Sequence, residues 1–425
     1  MFYTYLRFRS TSALYPKRST HARVDKKYNV NIGVFTDTYL PDIDGVSISI
    51  ATLKSSLEKL GHTVFIFAPN NKLKYEVFPE EKIWRFPSIK FYGEKNFHFA
   101  VKALFPKDLH DVPLDVVHTQ TPFPVGRAGL RLAKAKHLRS VHTYHTRYQE
   151  YIHYLVPSFI LKAGGRKLGV AIIISIVKRF LNNHDAVIAP SSGIKRELES
   201  FGVKKPIHVI PTGVDIDRIT ALVASADPNA IRRKFNLDPD NEMIVFTSRL
   251  AREKNVEFLL RAAKTVIDSR PQVRFLIIGD GDHRKSLEET ARQLGLKDQV
   301  IFAGYMDREQ IFPVYRAAKV FVFASTTETQ GLSVLEAMAS HLPIVALKAT
   351  GAEDLLAKNQ GGFLIENSDP VVFAEAVMNL LGNQDLYIIK SAEAYARAGD
   401  FTMEKTAQAL VDVYKNNAES VNIYT

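Results

Sequence analysis

Two glutamates, Glu328 and Glu336, lie on either side of a glycine turn that directly follows an apolar run at 320–325. A strand, a turn and the start of a helix form an anion-binding arrangement, in which the backbone N–H groups of Gly331 and Leu332 can hold a phosphate. The two carboxylates can accept hydrogen bonds from sugar hydroxyls. The alternative is a helix that simply carries acidic residues near its start, where the helix dipole favours them.

A pair of cations, Arg249 and Lys254, follows another apolar run at 243–248 in the same part of the chain. Arginine grips two oxygens at once and lysine adds a point charge, so the pair suits a diphosphate. Together they can stabilise a departing diphosphate without a metal ion. A single Arg or Lys is usually only a surface charge. Two cations in the same part of the chain as the paired glutamates indicate a site for a diphosphate and a sugar.

Alternating strand and helix patterns position these residues. Short apolar runs recur at helix-length intervals through the first half, and the series restarts after the turn at 211–215. Strands that alternate with helices predict α/β domains with parallel, doubly wound, Rossmann-like sheets. We predict an extension at 1–29, a first domain at 30–211, a second at 212–400, and a C-terminal helix within 401–425 that packs back on the first. The two sheets would face a central cleft, where ligands of such sheets bind.

The composition excludes several classes of protein. A chain of 425 residues with 46% hydrophobic and 24% charged residues is long enough for two domains and is not low-complexity. The absence of cysteine excludes disulfides, thiolate zinc sites and a cysteine nucleophile. The net charge of the whole chain is +11; the first half is strongly positive and the second slightly negative, which indicates that the first half contacts an anionic surface, either lipid or nucleic acid. Residues 1–29 are rich in Arg, Ser and Thr, as in a transit peptide or an upstream extension.

From about residue 30 to 415 the chain resembles the retaining GT-B glycosyltransferases, a group that includes sucrose synthase-like and phosphatidylinositol mannosyl enzymes. The cation pair and the run from Glu328 to Glu336 carry this resemblance. It implies that Glu328 contacts the donor sugar, that Glu336 contacts the ribose of the nucleotide, and that Arg249 and Lys254 bind its diphosphate. The first domain would then bind the acceptor and the second the nucleotide sugar.

The segment at 37–46 (DTYLPDIDGV) also matches this family. The resemblance implies that the loop at Gly45 closes over the donor phosphates. Many members have two glycines in this loop, whereas this chain has Asp44 before Gly45.

Two further segments, HTQTPF at 118–123 and the run at 141–154, resemble bacterial 1,2-diacylglycerol 3-glucosyltransferases, which make α-monoglucosyldiacylglycerol. The resemblance implies that His145 is the active-site histidine, which hydrogen-bonds the donor sugar or helps to position the acceptor hydroxyl. His142, His145 and His153 leave a metal site open as an alternative. No carboxylate pair accompanies them at a familiar ligand spacing, so we predict no metal and no other cofactor.

The segment at 161–183 combines basic ends with an apolar middle. Such a segment is typical of a helix that lies in the membrane interface and is attracted by anionic lipids. A helix buried against the first sheet with solvated ends is the alternative, and nucleic-acid binding is not favoured because aromatic residues do not interleave the cations. The predicted membrane-binding residues are Lys162, Arg166, Lys167, Lys178 and Arg179.

These observations together predict a peripheral enzyme on the inner, cytoplasmic face of the cell membrane. It would transfer glucose from UDP-glucose to the 3-hydroxyl of 1,2-diacylglycerol and retain the α configuration. The leaving phosphate would take the proton of the acceptor hydroxyl, because no carboxylate is placed as a covalent nucleophile. The alternatives are a related transferase that uses UDP-galactose, GDP-mannose, a glycolipid or phosphatidylinositol, and a nucleotide-sugar isomerase. The oligomeric state is left open.

Overall fold

The computed structural model describes residues 29–42, 44–70, 72–90, 98–101, 109, 111–151, 166–349, 351–416 and 421–423. All of the predicted extension except its last residue lies outside these ranges. The described chain forms two α/β units, each built on its own mostly parallel sheet. The predicted fold class, with two doubly wound Rossmann-like units, is therefore confirmed.

The first unit contains ten strands. They are β1 (Asn31–Phe35), β2 (Thr63–Pro69), β3 (Glu76–Phe78), β4 (Ile83–Phe86), β5 (Ser88–Lys90), β6 (His98–Ala100), β7 (Val116–Thr119), β8 (Arg139–Thr143), β9 (Ala186–Ala189) and β10 (Ile207–Val209). Eight of them form one sheet in the order β10-β9-β8-β7-β1-β2-β4-β3, in which only β3 runs antiparallel, and β5 pairs with β6 separately. The central strands are buried on both faces, which explains their continuous apolar runs.

Four described helices belong to this unit: α1 (Gly45–Lys59), α2 (Pro124–Ala135), α3 (Arg166–Leu181) and α4 (Ser192–Ser200). Helix α1 buries Ile50 and Leu57 in one core cluster with Ile32 of β1 and Val64 of β2. Burial of each such side chain contributes roughly 2 kcal/mol to stability. This packing fixes the start of α1, and with it the loop at Gly45, at the carboxyl end of β1.

The second unit has a six-stranded, fully parallel sheet in the order β13-β12-β11-β14-β15-β16. Its strands are β11 (Glu242–Thr247), β12 (Val273–Ile278), β13 (Val300–Gly304), β14 (Val320–Phe323), β15 (Ile344–Leu347) and β16 (Gly362–Ile365). Its helices are α5 (Ile216–Ala224), α6 (Pro228–Lys234), α7 (Val256–Ser269), α8 (Arg284–Gln293), α9 (Arg308–Ala317), α10 (Leu332–Ala339), α11 (Pro370–Gly382) and α12 (Gln384–Ala398). β14 pairs directly with β11 because the chain crosses over at this point, which brings the turns after these two strands together.

The last helix, α13 (Met403–Tyr414), returns to the first unit. Ala407 and Leu410 lie in the same core cluster as the strands of the first sheet. The Tyr414 hydroxyl lies 2.7 Å from His118 Nδ1 on β7. The segment that leads into α13 forms a bridge between Thr402 and Val214, so the chain crosses between the units twice at one place.

Each apolar run that we interpreted as a strand forms one. Strands β3 to β6 and β16 were not predicted, because they are short and lack a clear pattern. None of the helices in the described ranges is both long enough and apolar enough to cross a bilayer.

Candidate active site

The turn after β11 carries two predicted donor-site cations. Arg249 lies two residues beyond the strand, and Lys254 ends a short 3-10 turn, Arg252–Lys254. This turn packs closely against the turn that follows β12. A Cβ on Gly279 would lie only 1.9 Å from the carbonyl oxygen of Ser248. Gly279 also has a φ of 131°, so only glycine fits there, and this close contact helps to hold the cations at the edge of the sheet.

Lys254 and Glu328 form an ion pair between the turns after β11 and β14. Lys254 is only 8% exposed, and the pair joins residues 74 positions apart in sequence. Arg249 is paired with Glu253 at 3.0 Å, and 41% of its side chain is exposed. The structure thus brings Lys254 and Glu328 into contact and places Arg249 beside them at the same edge of the sheet.

Helix α10 begins at Leu332, directly after Gly331, whose φ of 84° lies in the left-handed region. The unpaired backbone N–H groups of its first turn therefore lie at the same edge of the sheet as Glu328. Glu336, one turn further, is 8% exposed and forms an ion pair with Arg308. Burial raises the pKa of Glu336, and the charge of Arg308 opposes that rise. Arg308 was not predicted as a site residue, because it opens a different helix, α9, and belongs to no local motif.

His145 lies on the facing side, just beyond the end of β8. Its Nε2 is 2.6 Å from the Oε1 of Gln120, at the end of β7. Burial lowers the pKa of His145 to about 4, so the imidazole is neutral at physiological pH. The hydroxyl of Thr329 donates to the carbonyl oxygen of His145 at 3.1 Å. The predicted histidine and the predicted sugar-binding turn therefore touch, although they belong to different units.

Further hydrogen bonds tie the donor turn to the connecting segment and to the first unit around this contact. Gln330 binds the backbone of Thr212 through both atoms of its amide. The guanidinium of Arg147 donates to the carbonyl oxygen of Thr326 at 3.2 Å. Gln120 and Gln330 lie within motifs that we recognised in the sequence. Neither role could be predicted, because the partners of both residues lie in other parts of the chain.

The loop at Gly45 is a helix start with open space above it. Asp44 caps α1: its carboxylate accepts from the N–H of Ser47 at 2.7 Å and from the hydroxyl of Thr38 at 2.5 Å. A Cβ on Gly45 would meet no described atom within 4 Å. The aspartate that stands where many relatives have a first glycine thus has a structural role, and the space beside Gly45 can admit a phosphate.

Two of the three histidines that left a metal site open, His142 and His145, have different hydrogen-bond partners. His142 Nδ1 lies 2.8 Å from the hydroxyl of Thr119, which is also 2.9 Å from His184 Nε2. His145 instead bonds Gln120, and His153 lies outside the described residues. Among the described residues, no group of three or more His, Asp or Glu side chains is arranged to hold a metal ion.

Helix α3 covers most of the segment predicted to contact a membrane. It buries Val177, Phe180 and Leu181. Its opposite face exposes a stripe at i, i+4 and i+8, where Leu168 is 68%, Ile172 51% and Ile176 46% exposed. The buried face agrees with a helix packed against the first unit, and contact of the exposed face with a membrane stays a prediction.

The structure describes the side chains of only some of the predicted membrane-binding cations. Lys167, Lys178 and Arg179 are exposed on α3. Lys162 and the side chain of Arg166 lie outside the described part of the chain.

Comparison with known proteins agrees with this geometry. Residues 227–400 match the family of group 1 glycosyl transferases, and residues 43–218 match Glycosyltransferase Family 4. The chain is 35% identical to the alpha-monoglucosyldiacylglycerol synthase of Streptococcus pneumoniae, over 75% of this chain and 71% of that one. It is 28% identical to the Acholeplasma laidlawii protein of the same name, over 91% and 98%.

A solved structure shows the same fold. Anabaena HepE, in complex with UDP and glucose, superposes with a TM-score of 0.69 at 18% identity, over 91% of this chain and all of that one. The sequence matches, the two facing sheets and the contact between their loops lead to one conclusion: the chain belongs to the GT-B glycosyltransferases of the family 4 and group 1 type, and its activity class is hexosyl transfer.

Proposed function

We propose that this protein transfers glucose from UDP-glucose to the 3-hydroxyl of 1,2-diacylglycerol at a membrane surface, giving α-monoglucosyldiacylglycerol. The observation that carries the proposal is the contact between His145 of the first unit and Thr329 of the donor turn. That contact places an acceptor-side histidine beside the turn that holds Glu328. The two relatives, both alpha-monoglucosyldiacylglycerol synthases, support the choice of sugar and acceptor.

The donor site is built around the ion pair of Lys254 and Glu328. In the proposed complex the UDP diphosphate lies between Lys254 and Arg249 on one side and the start of α1 at Gly45 on the other. Glu336 receives the ribose hydroxyls, and Glu328 those of glucose. The UDP and glucose bound to HepE support a UDP-sugar as the donor.

The proposed chemical step needs no covalent intermediate. The bond between the anomeric carbon of glucose and the diphosphate oxygen breaks, and the acceptor oxygen bonds to the same face of that carbon. The acceptor hydroxyl proton passes to the departing phosphate oxygen, so UDP leaves and the α linkage is retained. Arg249 and Lys254 stabilise the charge that develops on UDP. The neutral His145 orients the sugar or the acceptor, and domain contacts keep water out.

Helix α3 supplies the proposed contact with an anionic lipid surface. Its exposed apolar stripe can enter the headgroup boundary, while Lys167, Lys178 and Arg179 meet anionic headgroups at about 1 kcal/mol per cation. Arg179 lies one turn beyond Ile176 on the same face, so charge and apolar surface are adjacent. This arrangement supports a peripheral enzyme on the inner face of the cell membrane.

The decisive experiment incubates the purified full chain with radiolabelled UDP-glucose and vesicles of diacylglycerol and anionic phospholipid, followed by organic extraction and linkage analysis. We expect labelled α-glucosyldiacylglycerol. Lys254→Ala serves as the matched variant and should lower turnover far more than vesicle binding. Label that stays in water although UDP-glucose binds would overturn the acceptor assignment.

A donor and acceptor panel separates the related functions. Faster transfer from UDP-galactose or GDP-mannose, or to a glycolipid or phosphatidylinositol, would assign a different member of the same family. Sugar rearrangement without added lipid would indicate an isomerase.

A further inference from the structure

Gln120 and His145 form a hydrogen-bonded unit at the carboxyl ends of two neighbouring strands. Gln120 directly follows β7, and His145 lies two residues beyond β8, which pairs with it. The Oε1 of Gln120 lies 2.6 Å from the Nε2 of His145. An amide oxygen only accepts hydrogen bonds, so the proton of the neutral imidazole lies on Nε2.

Gln120 is firmly held in its place. It is 1% exposed, and its backbone N–H donates to the carbonyl oxygen of Phe35 at 2.8 Å. The hydroxyl of the next residue, Thr121, donates to the buried carboxylate of Asp37 at 2.5 Å. Asp37 also accepts from the backbone N–H of Val125 at 3.0 Å, at the start of α2. The backbone that carries this side chain is thus tied to β1 and α2, which fixes the point from which the amide reaches the imidazole.

A second observation shows that stability alone does not account for a glutamine here. Gln120 and His145 line one small cavity, together with Thr143 and Thr212. The amide nitrogen of Gln120 is buried and has no hydrogen-bond partner among the described residues. Leaving such a donor unpaired costs about 1–3 kcal/mol, a cost that an apolar side chain would avoid.

We propose that Gln120 is a positioning residue that holds His145 as the Nε2–H tautomer and fixes its ring at the cavity that both residues line. In this tautomer Nδ1 carries no proton, so His145 offers its substrate a hydrogen-bond acceptor and not a donor. The assignment of that substrate rests on the proposed function, whereas the tautomer does not. The titratable groups that sense the charge of His145 are His118 on β7 and His142 on β8.

The first test reads the histidine directly by NMR of the full chain labelled with 15N-histidine, with the His145 signal assigned from a His145→Gln variant. We expect the Nε2–H tautomer in the original protein. Gln120→Glu should keep this tautomer, and its carboxylate should raise the pKa of His145 by roughly 1–3. Gln120→Met, which offers no acceptor oxygen, should allow the Nδ1–H form. An Nδ1–H tautomer in the original protein, or an unchanged titration in Gln120→Glu, would overturn the proposal.

The second test measures transfer. Gln120→Met should lower kcat by about tenfold or more, with a KM for UDP-glucose within about twofold, because the ring is misplaced while donor contacts remain. In Gln120→Glu, kcat should fall at low pH as His145 becomes protonated. Tyr414→Phe, which removes the hydroxyl beside His118, is the control and should change neither value. An unchanged kcat in Gln120→Met would refute the positioning role. If the original protein transfers no glucose, the proposed function fails and the NMR result still decides the tautomer.

Discussion

Gln330 holds Thr212 by two hydrogen bonds: its Oε1 accepts from the backbone N–H at 2.6 Å, and its Nε2 donates to the carbonyl oxygen at 2.8 Å. Gln330 belongs to the donor turn, and Thr212 belongs to the segment that joins the two sheets. The hydroxyl of Thr212 lies 3.0 Å from that of Ser49 on α1. Hydrogen bonds through Thr212 therefore link the donor turn, the connecting segment and the first helix.

Replacing Gln330 should uncouple the two halves of the site. In Gln330→Ala the donor turn keeps its place in its own sheet but loses its tie to Thr212, so the cleft excludes water less well. We expect UDP affinity within about twofold of the original and a clearly larger fraction of glucose released to water. Parallel assays of transfer and of free glucose give this ratio. An unchanged ratio would show that the tie is only structural.

Gly45→Ala should separate donor binding from folding. The new methyl group meets no described atom within 4 Å, so stability should change by less than about 0.5 kcal/mol. If the phosphates approach this backbone, UDP-glucose affinity should fall by about tenfold. Gly399→Ala is the matched control, since its Cβ also has open space and Gly399 has no part in the proposed donor site. Equal donor affinity in both variants, measured by calorimetry, would remove Gly45 from the donor site.

Replacing Leu168 and Ile172 by serine should weaken binding to anionic vesicles. Each side chain withdrawn from the interface removes about 1.5–3 kcal/mol, so two should lower binding by at least about a hundredfold. Ile388 and Ile389 on α12 are 55% and 53% exposed and give a control pair of similar exposure. Vesicle flotation should show a loss only for the α3 pair. A similar loss for both pairs would point to nonspecific adsorption.

Acid should destabilise the first unit before it affects surface charge pairs. Burial lowers the pKa of His118 to about 3 and that of His184 to about 4. The unfolded chain binds these protons below about pH 6.5 and the folded chain does not, so stability is complete above that pH and decreases as pH falls toward 4. Each such histidine contributes a slope of about 1.4 kcal/mol per pH unit.

Urea unfolding monitored by the single tryptophan, Trp84 in β4, measures this slope for the first unit. His184→Gln removes one such group, so it should reduce the slope of stability against pH by about 1.4 kcal/mol per pH unit. The exposed His137 provides the control, as His137→Asn should leave the slope as it was. A free energy of unfolding that stays the same between pH 6.5 and 4 would contradict the prediction.

Most of the fold could be predicted because it depends on local patterns. Apolar runs separated by helix-length segments specify parallel sheets wherever both faces are covered. The exceptions are β3 to β6 and β16, whose short runs carry no periodicity that distinguishes a strand from a loop. The α3 segment was ambiguous because its composition is the same whichever face is buried.

Local sequence determined the residue types of the site: the glycine turn between Glu328 and Glu336, the cations Arg249 and Lys254, and His145 after its strand. Only the tertiary structure decided their partners. Lys254 meets Glu328 because a crossover makes β11 and β14 neighbours, and His145 meets Gln120 because β7 and β8 end side by side. Such contacts depend on the strand order and on how the two sheets face each other. The spacing of residues that are close in sequence specifies neither.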